Sequence, residues 1–203
     1  MKPQTQSDQA EPVPGLRERK KARTKAAIQR EAVRLFREQG YSATTVEQVA
    51  EAAEVAPSTV FRYFATKQDL VFSQDYDLPF AAMFRAQSPD LTPIQAERRA
   101  IRSLLDDISE QELALQRERF ALIVSEPELW GASLDAIHRT MRIMGEEVAE
   151  RAGRETRDPA VRAYTGAVFG VMLQVSMDWA DDPGMDFATT LDEALSHLDD
   201  LRP

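Results

Sequence analysis

The sequence predicts an all-α protein in which a small helix-turn-helix domain is followed by a larger helical body. Three observations carry this. Apolar residues recur at helical spacing along most of the chain, and no alternating strand pattern of useful length interrupts them. Pro, Gly and capping residues punctuate the pattern at regular intervals. The charge is split: residues 1–72 hold 12 Lys+Arg against 9 Asp+Glu, whereas residues 73–203 hold 13 against 25. A basic head on an acidic body is expected where only the head meets phosphates, so the overall charge of −9 does not argue against nucleic acid.

Composition bounds the rest. Apolar residues make up 43% and charged residues 29% of the 203, a globular balance. No apolar run approaches the ~20 residues needed to cross a bilayer, and the first residues lack a secretory h-region. The chain has no cysteine, which excludes disulfides and thiolate metal sites. A cytoplasmic protein with no metal, no cofactor and no membrane partner is the expectation.

Residues 1–15, rich in Gln and Pro, read as a disordered leader. The first helix should run from about Leu16 to Gln39, with Gly40 at C′ and Ile28, Ala32, Leu35 and Phe36 as its buried stripe. Its first turns carry Arg17, Arg19, Lys20, Lys21, Arg23 and Lys25, a dense cluster for a merely solvated face. Thr44 and Thr45 offer N-cap hydroxyls for a second helix with the stripe Val46, Val49, Ala50 and Ala53. Val55 falls in the turn, and Pro57 suits the first turn of a third helix, in which Val60 and Phe64 make an i, i+4 core contact. The outer face of that helix is Ser58, Thr59, Phe61, Arg62 and Tyr63, a set of small, hydroxyl, aromatic and cationic groups that fits a DNA major groove.

Residues 16–66 are thus assigned to the head and 67–203 to the body. Thr66 to Asp69 has capping-box character and should start a fourth helix with Leu70, Val71 and Phe72. Pro79 either kinks that helix or begins a new turn after it ends near Tyr76, which makes this joint the expected hinge. Helix five opens at Thr92-Pro93 and runs to about Ile108. Ser109 to Glu112 caps helix six, to about Val124, and Ser125 to Glu128 caps helix seven, to about Arg151. Helix eight follows Asp158-Pro159 and stops before Asp181, and helix nine spans about Asp186 to Leu201.

Helix eight is apolar on nearly every side. Tyr164, Val168, Val171, Val175 and Trp179 line one face, Phe169 and Met172 another, and Ala163, Gly166, Ala167 and Gly170 a third, small-residue face. Helix nine carries the stripe Phe187, Leu191, Ala194, Leu195 and Leu198. Such helices need covering, so the small face of helix eight together with Phe187, Leu191, Leu195 and Leu198 is the expected interface with a second subunit.

The stretch AVRLFREQGYSATTVEQVAEAAEVAPSTVFRYFATKQDL, behind its basic first helix, resembles the TetR family of transcriptional regulators over about residues 17–72. The likeness rests on Phe36, Gly40, Thr44-Thr45, Ala50, Val55, Thr59, the Phe61-Arg62-Tyr63-Phe64 run and Lys67, in order and spacing. Two positions depart from the family pattern: Glu54 stands where Gly is usual, and Ala56 where Ser or Thr is frequent. The resemblance implies that Thr45 and Lys67 anchor phosphates, as do Lys20, Lys21 and Thr44 nearby, and that Phe61 and Tyr63 lie on the DNA backbone. It leaves Pro57, Ser58, Thr59 and Arg62 near base edges, with Arg62 suited to guanine O6 and N7 or to a phosphate. It further implies a homodimer through the last two helices, a roughly palindromic operator, and a small-molecule effector whose binding misfits the heads to DNA.

The stretch QDYDLPF is similar to that of a subgroup thought to bind acyl-CoA-like ligands. The candidate pocket residues are Phe80, Met83, Phe84, Phe120, Trp130, Ile137, Met141, Met144, Phe169 and Met172, with Arg117, Arg119 or Arg142 available to an anionic group. A DNA-binding dimer without an effector is the alternative. A helical-bundle enzyme is disfavoured, because His138 and His197 are far apart and no phosphate loop or nucleophile elbow is present.

Overall fold

The computed structural model describes residues 15–72 and 77–199. Among them are nine α-helices and no strand: α1 (Leu16–Gln39), α2 (Val46–Ala52), α3 (Pro57–Tyr63), α4 (Asp77–Arg85), α5 (Pro93–Asp106), α6 (Glu110–Ser125), α7 (Pro127–Ala152), α8 (Pro159–Asp181) and α9 (Phe187–Ser196). The expected leader, the Gln74–Tyr76 part of QDYDLPF and the end of helix nine at Leu201 lie outside the described residues.

Local capping explains most boundaries. Thr45 accepts from the Gln48 amide at 3.2 Å while the Gln48 side chain accepts from the Thr45 amide at 2.8 Å, a reciprocal box. Thr92 and Gln95 repeat it at α5, and Ser109 accepts from the Glu112 amide at α6. The box expected at Ser125 is absent: its hydroxyl donates to the Leu122 carbonyl at 3.3 Å, and Glu126 becomes the N-cap of α7 without a side-chain cap. Thr66 and Asp69 do form their box, yet only a 3-10 turn over Gln68–Leu70 follows. Pro79 falls at the third described residue of α4. It lies within α4 as described from Asp77, and the residues before it, on which the choice between a kink and a new start turns, lie outside the described residues.

The head does not fold on its own residues alone. Its core joins Ile28, Phe36, Tyr41, Val49, Val60, Phe64, Leu70 and Val71 to Leu122 and Leu129, which arrive from the corner between α6 and α7. Polar ties lie beside this insertion. Glu128 accepts from the Gln68 amide nitrogen at 3.0 Å and from the Tyr41 hydroxyl at 3.4 Å, and Arg37 on α1 pairs with Glu118 on α6. Burial and the Glu128 carboxylate push the Tyr41 phenol up to about 12.

The body packs α8 against α6, α7 and α9, and α5 against α4, α7 and α9. Arg98 on α5 grips Asp192 on α9 through two hydrogen bonds of 2.9 Å, holding α9 against α5. Leu191 and Leu195 are fully buried inside the protomer. They are core and not dimer interface, a correction with a simple cause: the α9 stripe is satisfied by α5 and α8 of its own chain. Phe187 likewise packs inward on Trp179 at 4.4 Å, and Leu198 leans on the same core. The small face of α8 stays open, since nothing lies within 4 Å of a Cβ built at Gly166 or Gly170, and Ala163 is exposed.

One carboxyl is sealed in the body. Glu97 on α5 is fully buried and accepts from the Tyr164 hydroxyl at 2.7 Å. Burial raises its pKa from the ordinary 4.5 to about 7, and raises that of Tyr164 as well. The folded state therefore holds a proton that the unfolded chain releases, and stability falls as pH rises from about 4.5 to about 7. Urea unfolding of Glu97→Gln should show a smaller loss between pH 5 and pH 8 than the parent chain, and greater stability at pH 8. Leu129→Ala should cost roughly 2–5 kcal/mol in the same assay. It should weaken DNA binding too, because the residue supports the head.

Candidate nucleic-acid interface and ligand cavity

The turn between α2 and α3 sets the orientation of the second motif helix. The Val55 amide donates to the Ala50 carbonyl at 2.9 Å and the Glu54 amide to the Glu51 carbonyl at 3.0 Å, the 6→1 and 5→2 bonds of a Schellman ending. Glu54 stands at C′ with φ +54°, the one non-glycine residue at positive φ among the described residues. This left-handed conformation costs about 1–2 kcal/mol without glycine. Ala56 is the N-cap of α3 without a side-chain bond, so Pro57 at N1 alone preorganises the start. Both departures from the expected pattern are thus accommodated with the turn intact.

Val60 and Phe64 anchor α3 in the head core, and the rest of the helix is turned out. Pro57, Ser58, Phe61 and Arg62 are exposed, Thr59 and Tyr63 half-buried. Phe61 keeps 53% of its surface in solvent, an unusual exposure for a phenylalanine that nothing in the head requires. The Arg62 guanidinium lies 5.2 Å from the centre of the Tyr63 ring, which steadies it on the outer face. Thr45 is exposed at the start of α2, and Lys20 and Lys21 are exposed on the first turns of α1.

Two anchors take other positions than expected. Thr44 is 1% exposed, and its hydroxyl donates to the carbonyls of Leu35 and Gly40. Its side chain closes the loop after α1 and is unavailable to a phosphate, because the hydroxyl is buried and already bonded to the backbone. The Lys67 ammonium donates to the Tyr41 carbonyl and lies 4.3 Å from the Tyr41 ring centre, with burial lowering its pKa. Reaching a phosphate would require it to leave those contacts.

The body holds a cavity of about 420 Å³, within the ~300–1,000 Å³ range of small-molecule sites. Seven of the expected residues line it: Phe80, Phe120, Trp130, Ile137, Met144, Phe169 and Met172. Met83, Phe84 and Met141 do not. Phe84 is core, covered by the Arg151 guanidinium at 4.9 Å, which in turn binds the carbonyls of Phe84, Gln87, Ser88 and Leu91. Among the arginines, Arg119 lines the cavity and is 4% exposed, whereas Arg142 pairs with Glu146 on the surface and Arg117 is off the cavity. The α5 residues Ile101, Leu104 and Leu105, and Trp179 and Phe187, were not anticipated as lining. Their helical stripes carry no mark that separates a cavity wall from core. Val71 and Phe72, directly behind the head, line it as well.

Known proteins match this chain over most of its length. Residues 28–73 match the model for bacterial regulatory proteins of the tetR family, and residues 91–203 match the MftR C-terminal domain. The chain belongs to the TetR family. It is 34% identical to the HTH-type transcriptional regulator TcmR of Streptomyces glaucescens, over 94% of this chain and 88% of TcmR. A protein named MftR from Mycobacterium tuberculosis is 27% identical over 87% of this chain and 89% of its own. Among solved structures, the SmeT–triclosan complex superposes with a TM-score of 0.61 at 20% identity, covering 86% of this chain and 91% of SmeT. This TetR-family chain is a DNA-binding transcriptional regulator and not an enzyme. No helix among its described residues is long and apolar enough to cross a membrane.

Substitutions separate the roles of the exposed groups. Arg62→Ala should cost roughly 1–3 kcal/mol on the preferred sequence and flatten discrimination among sequences. Lys20→Gln and Lys21→Gln should weaken binding to all sequences alike, each lowering the slope of log K against log salt by ~1. Fluorescence-anisotropy titrations over a series of salt concentrations and operator variants read both.

Proposed function

We propose that this protein is a homodimeric repressor that leaves a roughly palindromic operator when an apolar or amphipathic small molecule fills the body cavity. The observation that carries the reading is the wall shared by cavity and head. Val71 lies in the head core and also lines the cavity, and α6 places Phe120 and Ile123 on the cavity while Leu122 enters the head core. An occupant that displaces α6 or the Val71–Phe72 segment therefore displaces the head. Such a ligand acts only through a difference in affinity between the two head positions.

Dimerisation is supported by the open small face of α8 at Ala163, Gly166, Ala167 and Gly170, which permits close approach of a second copy. Two heads related by a two-fold axis read two half-sites about one helical turn apart. Thr45, Lys20 and Lys21 serve as phosphate contacts, and Pro57, Ser58, Thr59 and Arg62 face the bases, flanked by Phe61 and Tyr63. The cavity favours a ligand-responsive regulator over a dimer without an effector.

Footprinting on the DNA flanking its own gene tests this. Protection of two half-sites related by inverted symmetry, saturating at two chains per site, is the expected result. Absence of a footprint on that DNA would sink the repressor reading for this locus. Release of the footprint by apolar compounds that also raise Tm is expected of an effector-responsive regulator.

A further inference from the structure

The outer surface of α3 divides into two ridges. Ser58 and Arg62, four residues apart and both exposed, make a polar one. Pro57 and Phe61, also four apart and both exposed, make an apolar one beside it. Phe61 is the large apolar side chain that the motif helix leaves in solvent, and it does not join the head core on which Tyr63 packs. A phenyl ring has no hydrogen bond to offer a phosphate, so what it gains from a partner comes from apolar surface. The helix carries Arg62 and no carboxylate, which suits a partner that presents apolar groups among negative charges. The DNA major groove is such a surface, because each thymine places a methyl group on its floor.

We infer that Phe61 is a specificity-determining residue that reads a thymine of the operator by packing its ring on the 5-methyl group. This rests on the placement of α3 in the major groove. It moves Phe61 from the DNA backbone, where the family resemblance puts it, to a base edge. Pro57 and Phe61 are about 6 Å apart along the helix axis, close to two base steps of about 3.4 Å. Pro57 thus meets the edge of a nearby pair, and Arg62 on the adjoining ridge stays free for a guanine or a phosphate. The ring discriminates by one carbon atom, since no other base carries that methyl group.

Deoxyuridine in place of thymidine removes this methyl group and leaves base pairing unchanged. Fluorescence anisotropy of the full chain on its preferred duplex, selected from a random pool, therefore tests the inference with deoxyuridine placed at one thymine at a time. At one thymine or more the replacement should weaken parent binding roughly 4-fold, the effect of one buried methyl group. Phe61→Ala should bind the unmodified duplex more weakly and be indifferent to that replacement, while Phe61→Leu should keep part of the effect. Both variants should retain the parent slope of log K against log salt, because the ring neutralises no phosphate. Parent binding that no deoxyuridine alters overturns the inference, and so does a methyl effect that survives undiminished in Phe61→Ala. Equal weakening of Phe61→Ala on all sequences makes the ring a backbone contact and overturns it too. With discrimination flattened in Arg62→Ala, each of these results leaves the placement of α3 standing. If Arg62→Ala and Phe61→Ala both bind like the parent, that placement falls together with the inference.

Discussion

The structure depends on one packing event, the insertion of Leu122 and Leu129 from the α6–α7 corner into the core of the head. A three-helix unit of some fifty residues buries too little surface to be robust by itself. The two leucines complete its core, and each is buried so fully that the head and body cannot separate without opening a cavity. Tyr41, Gln68 and Glu128 fix the register of this joint with directional bonds, and Arg37 with Glu118 adds a charged tie on the exposed side. Contacts of this kind are bistable and not elastic, because close-packed side chains exchange one fit for another.

That coupling gives the body cavity its meaning. A void of this size beside α6, α7 and α8 forfeits packing energy that a solid core would gain. The same void places an occupant in contact with α6 and with the Val71–Phe72 segment, the two elements that hold the head. The sealed Glu97–Tyr164 pair and the Arg98–Asp192 grip keep α5, α8 and α9 together.

Local chemistry was legible before the fold was known. Thr45 with Gln48, Thr92 with Gln95, and Pro57, Pro93 and Pro159 in first turns mark helix starts within a turn of their observed positions. The motif helix, its exposed Arg62 and Phe61 and its buried Val60 and Phe64 also follow from spacing alone. Where the sequence misled, a nearby backbone carbonyl competed for the hydroxyl. Thr44 had the chemistry of a cap, yet its hydroxyl serves carbonyls at Leu35 and Gly40. Ser125 turned back to Leu122 in the same way.

By itself the sequence determined the all-α class, most of the helix boundaries, the helix-turn-helix and the charge division between head and body. These depend on periodicity, capping and composition, which act over a few residues. Only the tertiary structure decided what each apolar stripe faces. Leu191 and Leu195 looked suited to a second subunit and are covered within the protomer, while Phe187 looked like the same interface and walls a cavity. An apolar side chain carries no label for its partner, because burial by a neighbouring helix, a ligand or another chain removes the same surface from water.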